Sequence, residues 1–175
     1  GGAGFFGSIL VNRLLEAGHD VICFDLNKIG QSHQRLRSIQ ADIRDSEAVA
    51  FACEGVDTIH HNVAQVPIAK NRKLFDSVNL GGSKILAEQA RKAGVKSIVY
   101  TSSSAIFGVP ARNPVTDETA PSPAEAYGKA KYEAENIISS LVECDINVSI
   151  IRPRTILGTG RLGIFQILFE NYLIK

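Results

Sequence analysis

Short apolar runs alternate with segments of helical periodicity along the whole chain, and this alternation constrains the fold more than any other feature. Phe6 to Ala17 carries Ile9, Leu10 and Leu14 at helical spacing, with Phe6 on the same side, and Gly18 stops the pattern. Val21-Ile22-Cys23-Phe24 is a continuous apolar run, the signature of a strand buried on both faces. Ser38 to Ala41 reads as a weaker strand, Ser46 to Glu54 as a helix with Asp45 as N-cap, and Asp57 to Val63 as the next strand. Arg72 to Ala93 predicts one long helix ended by Gly94, and Ser97 to Thr101 a further buried strand. The Pro-, Asn-, Asp- and Thr-rich residues 109–123 read as loop. Ala124 to Cys144 reads as helix, Val148 to Ile151 as the last clear strand, and Gly163 to Lys175 as an apolar helix. Such βα alternation predicts an α/β fold, a parallel sheet with helices on both faces, whose ligands lie beyond the carboxyl ends of the strands.

A chain of 175 residues is long enough for one domain with a sizeable core. The net charge of +1 gives no broad attraction to nucleic acid or anionic membrane. Cys23, Cys53 and Cys144 are scattered, without CxxC or Cys/His spacing, so no metal site is expected. They read as core thiols of a cytoplasmic protein. No apolar run is long enough to span a bilayer. The chain has no Met and opens directly on Gly1-Gly2-Ala3-Gly4 with no strand before it, so it reads as a fragment.

The residues that carry chemistry fall at the predicted carboxyl edge. Gly1, Gly4 and Gly7 form a GxxGxxG pattern that opens a helix. A diphosphate must approach backbone N–H groups closely at a helix N-terminus, and a Cβ at Gly1 or Gly4 would hold it off. Gly7 would let the helix pack on the sheet. About 20 residues on, Asp25 ends the next strand, where an acid receives the adenosine ribose hydroxyls. A carboxylate there repels a 2′-phosphate and favours NAD over NADP, a preference that nearby Lys28 weakens slightly. Asp42 either accepts from the adenine amino group or caps the following helix.

Tyr127 and Lys131 stand four apart on one helix face, and Ser103 lies just past the Ser97–Thr101 strand. A phenol with a pKa near 10 is a poor base at neutral pH. A neighbouring ammonium and an oxidised nicotinamide both favour its phenolate. Ser103 would hold the substrate oxygen in line with Tyr127 while hydride passes between the substrate carbon and the nicotinamide.

With these motifs in this order, the sequence resembles the NAD-dependent epimerase/dehydratase family, the extended short-chain dehydrogenases. The matching segments are GGAGFFG (1–7), FDLN (24–27), ADIRD (41–45), HNVA (61–64), VNLGGS (78–83), VYTSSSAIFG (99–108), YGKAK (127–131) and RPRTILG (152–158). The resemblance implies a Rossmann-like doubly wound sheet over residues 1–175, with the central first strand, between the family's second and fourth, and the C-terminal substrate region absent. It implies that Phe5 and Phe6 lend backbone to the diphosphate, that Asp25 and Leu26 meet the adenosine ribose, and that Asp42 and Ile43 flank the adenine. Val63, Ala64 and Gln65 would line the cofactor cleft, with Asn79 a structural or cofactor-side polar residue. Ser103 would be the catalytic hydroxyl, judged by its distance to Gly108, with Ser102 and Ser104 as alternatives. Pro153, Arg154 and Thr155 would border the nicotinamide and substrate. Phe107 stands where the family usually has Tyr.

The implied activity is hydride transfer on a nucleotide-sugar or similar secondary alcohol, by an epimerase or a dehydrogenase. A 3β-hydroxysteroid-type dehydrogenase and a non-catalytic NAD-binding module are the alternatives. Sugar dehydratases of the family carry acids just after the catalytic hydroxyl; Ser104 and Ala105 there argue against elimination. The expected partner is a small-molecule substrate, with no nucleic acid or membrane. A homodimer is expected through the helices at 72–93 and around Tyr127, with Ala87, Ala90, Ile137 and Leu141 outward beside Lys84, Arg91 and Glu133.

Overall fold

A computed structural model describes residues 1–65 and 72–161. Among the described residues five strands pair in parallel: β1 (Val21–Asp25) beside β2 (Leu36–Gln40), and β3 (Thr58–His61), β4 (Ser97–Thr101) and β5 (Asn147–Ile151) in that order. The helices are α1 (Phe5–Glu16), α2 (Ser46–Cys53), α3 (Arg72–Asp76), α4 (Gly82–Ala93) and α5 (Ala126–Ser139).

Alternation along β1 sets the layers. Val21 and Cys23 are buried with Val11 of α1, whereas Phe24 packs with Val49 of α2 and Leu86 of α4. Neighbouring residues of a strand point to opposite faces, so α1 covers one face and α2 with α4 the other. On that second face α4, α5 and β4 share a core of Ala87, Ala90, Ile98, Tyr100, Ala134 and Ile138. The helices on both faces expected from the sequence are thus present.

The expected single sheet is divided in two. Among the described residues no strand lies between β1 and β3, and a cleft of about 920 Å³ runs between their facing edges. It is lined by Val21 and Cys23 on one side and by Ile59 and His61 on the other. In the fold that the sequence resembles, the central first strand would lie here. Gly1 closes the carboxyl end of the cleft: its amino group donates to Phe24 O at 2.7 Å, and a Cβ on it would stand 2.7 Å from the Asn62 carbonyl carbon.

Local signals explain most boundaries. Asp45 caps α2 by accepting from the backbone N–H groups of Glu47 and Ala48. Gly94 ends α4 in the left-handed region at φ 69°. The single long helix predicted from 72 to 93 is interrupted by a π-helical turn over Ser77–Gly81. Behind the turn, Gly82 faces Ile43 so closely that a Cβ would lie 2.6 Å from its Cγ2. Helical spacing alone does not register such a close approach. The predicted helix from 124 to 144 is α5 followed by a 3-10 turn over Ser140–Cys144. A 3-10 turn over Ser104–Phe107 lies in a stretch with no sequence signal for it. The helix expected at 163–175 lies outside the described residues.

Two expectations are corrected. Ala87, Ala90 and Leu141 are not outward but buried in the core, because α4 and α5 turn their small and apolar residues toward each other and β4. Cys23 and Cys53 are core thiols, whereas Cys144 is exposed at the end of its 3-10 turn. Among the described residues no helix is long and apolar enough to cross a membrane, and no cluster of His, Cys, Asp or Glu could hold a metal ion.

Candidate active site

Parallel pairing aligns the carboxyl ends of β1 and β2, and those of β3, β4 and β5, and Gly1 lies between Phe24 O at the end of β1 and the Asn62 carbonyl just past β3. The glycine loop enters α1 there. Gly4 is the N-cap, with no side-chain cap, and no acid lies in the first turn. The first N–H groups of a 12-residue helix are therefore open to an anion. The three glycines differ in what requires them. A Cβ on Gly7 would lie 2.0 Å from Gly1 O, and one on Gly1 would strike the Asn62–Val63 backbone. A Cβ on Gly4 would meet protein no closer than 3.6 Å, so space beside it is left for a ligand. Asp25 steadies the loop, accepting from Ala3 N–H at 3.0 Å and from Asn27 N–H at 2.9 Å. Leu26 beside it is exposed.

Asp42 does not cap α2, a role Asp45 fills; it is gripped by Arg44 at 2.6 and 2.9 Å. That guanidinium holds the Asp42 carboxyl below its ordinary range. Ile43 is buried against α2 and α4, so what it can offer an adenine is its main chain. Val63 is partly buried in the same cluster. Gln65 N–H donates to Asn79 Oδ1 at 2.8 Å, and Asn79 Nδ2 donates to Gln65 O at 3.0 Å. Asn79, 2% exposed, thus fixes the strand β3 exit that carries Val63, Ala64 and Gln65.

Ser103 acts on Tyr127, while Lys131, one turn further along α5, is directed at the end of β4. Ser103 follows β4 and caps the 3-10 turn, accepting from Ala105 N–H at 3.1 Å. The neighbouring backbone is tied to the exit of β5, where Ser104 N–H donates to Pro153 O at 2.9 Å. The Tyr127 phenol is raised above its ordinary pKa by burial, and the Ser103 side chain opposes the rise. Of the three serines, Ser103 is the one whose side chain acts on the Tyr127 pKa; Ser102 is buried with an unpartnered hydroxyl. Phe75 of α3 covers the phenol, ring centroids 6.2 Å apart. Lys131 is 2% exposed and donates to Thr101 O at 2.9 Å, with its ammonium 4.8 Å from the centre of the Tyr100 ring. Burial pulls Lys131 down to about 8, opposed by Glu135.

One electrostatic expectation is modified. Lys131 is directed at Thr101 and Tyr100, and burial decides the Tyr127 pKa in the protein alone, so the phenol is the neutral acid there.

Sequence reasoning missed Gly128, whose absent Cβ lets α5 touch Ala105, and Glu135, which holds Arg152. Glu135 was within reach of the spacing argument, since it continues the Tyr127–Lys131 face one turn on.

The chain is similar to known proteins in sequence and in fold. An uncharacterized protein of Sinorhizobium fredii is 50% identical over 171 residues, 97% of this chain and 43% of that protein. The 3 beta-hydroxysteroid dehydrogenase/Delta 5-->4-isomerase of Mycobacterium tuberculosis is 34% identical over 185 residues, 99% of this chain and 50% of that protein. The solved structure of UDP-glucose 4-epimerase with UDP-glucose from Thermotoga maritima superposes with a TM-score of 0.86 at 28% identity, covering 99% of this chain and 62% of that one. The chain spans about half the length of the curated relatives it matches. The sequence profile described as the NAD dependent epimerase/dehydratase family matches residues 1–166, and the chain belongs to that family.

Proposed function

We propose that residues 1–65 and 72–161 build the cofactor side of an NAD-dependent enzyme that interconverts a secondary alcohol and a ketone, on a nucleotide-sugar or similar substrate, as an epimerase or a dehydrogenase. The observation that carries the reading is the half-buried Tyr127 phenol, raised in pKa by burial and lowered by the Ser103 side chain, on the same helix as the buried Lys131 and beside the turn that Ser103 caps. Gly1, Gly4, Phe5, Phe6 and Gly7 offer backbone to the diphosphate, and Asp25 with Leu26 borders the adenosine ribose. Asp42 and the Ile43 main chain flank the adenine, and Val63, Ala64, Gln65 and Pro153 line the cleft. Bound NAD supplies the hydride acceptor. Ser103 holds the substrate oxygen, and the Tyr127 hydroxyl gives that oxygen its proton when the ketone is reduced and takes it when the alcohol is oxidised. Lys131 would hold the nicotinamide ribose and, once turned from Thr101 O toward the cofactor, its ammonium would favour the phenolate needed for oxidation. The site would work by orientation: Ser103, just past β4, and Tyr127 and Lys131 of α5 would meet a cofactor held by α1 and the end of β1.

A steroid-like alcohol is the second reading, favoured by the hydroxysteroid dehydrogenase among the relatives. One experiment separates the outcomes. The protein is incubated with NAD and, in turn, UDP-glucose, UDP-galactose and a 3β-hydroxysteroid, while reduced nicotinamide and product are followed. Sugar interconversion without accumulating NADH identifies an epimerase, and NADH formed in step with ketone identifies a dehydrogenase. NAD binding without conversion of any alcohol would leave only a binding module.

A further inference from the structure

Lys131 and Glu135 are the charged pair buried among the described residues of α5, each 2% exposed and one helical turn apart. The catalytic reading uses Lys131 and leaves Glu135 without a task. A buried carboxylate is costly unless it is paired. Here Glu135 accepts two hydrogen bonds from Arg152, from Nε at 3.1 Å and from Nη2 at 2.9 Å. Arg152 stands just past β5, with its guanidinium 5.4 Å from the centre of the Phe107 ring in the turn that follows Ser103. The next residue, Pro153, takes the Ser104 N–H. The pair therefore ties α5, which carries Tyr127 and Lys131, to the backbone that carries Ser103.

Resting on the proposed acid/base reading, we infer that Glu135 is a positioning residue for the Ser103–Tyr127–Lys131 set: fixed in place by Arg152, its carboxylate supplies the charge that keeps Lys131 an ammonium in the buried floor of the site.

The surroundings of Lys131 support this. From β3 comes His61, whose Nε2 is 2.9 Å from Ser83 Oγ. Burial and the charge of Lys131 hold it neutral. From β4 comes Tyr100, whose phenol burial keeps protonated. From α5 itself come Tyr127 and Glu135. Of these groups Glu135 is the one that carries negative charge, and it acts on Lys131 to raise its pKa against desolvation. An ion at i,i+4 on a helix is close enough to do so. Arg152 is about a third exposed, so water screens its charge more than it screens that of Glu135.

The test reads the charge directly. In the full chain, labelled with lysine carrying 13C at Cε, the Lys131 signal is identified by its loss in Lys131→Met and titrated by NMR. Glu135→Gln keeps the shape and removes the charge. The Lys131 midpoint should fall by on the order of one pH unit. Glu135→Asp keeps the charge and should leave the midpoint near that of the wild type. Should Glu135→Gln not fold, Glu135→Met removes the same charge with an apolar side chain of similar volume and should give the same fall. A midpoint unmoved by loss of the carboxylate, or moved as far by Glu135→Asp, overturns the inference and leaves Glu135 a strut. The titration needs neither substrate nor turnover, so an inactive wild-type chain would sink the proposed function while leaving this result to stand on its own.

Discussion

Gly128→Ala is a one-methyl probe of how closely the two halves of the site must meet. Gly128 follows Tyr127 on α5 and lies against the 3-10 turn that follows Ser103. A Cβ at this position would stand 2.4 Å from Ala105 O and 3.0 Å from Ala105 C, whereas ordinary contact begins at 3.4 Å. Both neighbours are backbone, so the helix and the turn must part by about 1 Å to reach that contact. The overpacking costs about 1–3 kcal/mol. The gain in helix propensity from Gly to Ala offsets about 1 kcal/mol of it, so the protein should still fold. Catalysis is less forgiving, because a misplacement of about 1 Å is worth roughly 10²-fold in rate. The assay is turnover at saturating NAD with whichever alcohol reacts, beside a urea melt and an NAD titration. Exposed Lys129→Ala serves as the control on the same helix. The expected result is a loss of about 100-fold in turnover with little change in NAD affinity. Turnover within about twofold of wild type, in a folded variant, would refute the claim that Ser103 and Tyr127 act across this contact.

The remaining predictions concern charge and core. Asp25→Asn should narrow the preference for NAD over NADP, measured by fluorescence titration of both cofactors; an unchanged ratio would remove Asp25 from cofactor choice. Cofactor binding should weaken as pH rises through about 8, where Lys131 loses its ammonium; affinity flat from pH 7 to 9 contradicts this. Because burial lowers Lys131 from an ordinary 10.5 to about 8, charging it costs the fold on the order of 3 kcal/mol below that range, relieved as pH rises from about 8 toward 10.5. Lys131→Met should therefore raise the urea midpoint at pH 7 while weakening NAD binding, and a lowered midpoint would contradict the sign. Ile98→Ala, at a fully buried position in the core shared by α4, α5 and β4, should cost about 2–5 kcal/mol in urea unfolding; a loss under about 1 kcal/mol would place the core elsewhere.

The strands were legible because burial on two faces leaves an unmistakable run. Val21 to Phe24 and Ser97 to Thr101 needed only one residue of adjustment or none. Asp45 was legible because a capping side chain acts within three residues of itself. The facing of α4 was not, because Ala is equally at home in a core and on a surface, and only the neighbours of Ala87 and Ala90 decide between them. The π-helical turn at Ser77–Gly81 escaped for a related reason: it serves the clamp of Asn79 on Gln65 and the approach of Gly82 to Ile43, both distant in sequence. Tyr127, Lys131 and Ser103 could be picked out by residue type and spacing. Their electrostatics could not, since the direction of each pKa depends on how deeply each group is buried.

The central claim is that Tyr127 moves the proton that accompanies hydride transfer, and Tyr127→Phe tests it most directly. The ring still fits beside Phe75, so NAD affinity should stay close to that of the wild type. Turnover should fall by a factor on the order of 10²–10⁴, with Ser103→Ala costing less and Lys131→Ala impairing binding as well as rate. A Tyr127→Phe protein that binds NAD and turns over its alcohol at the wild-type rate would contradict the account.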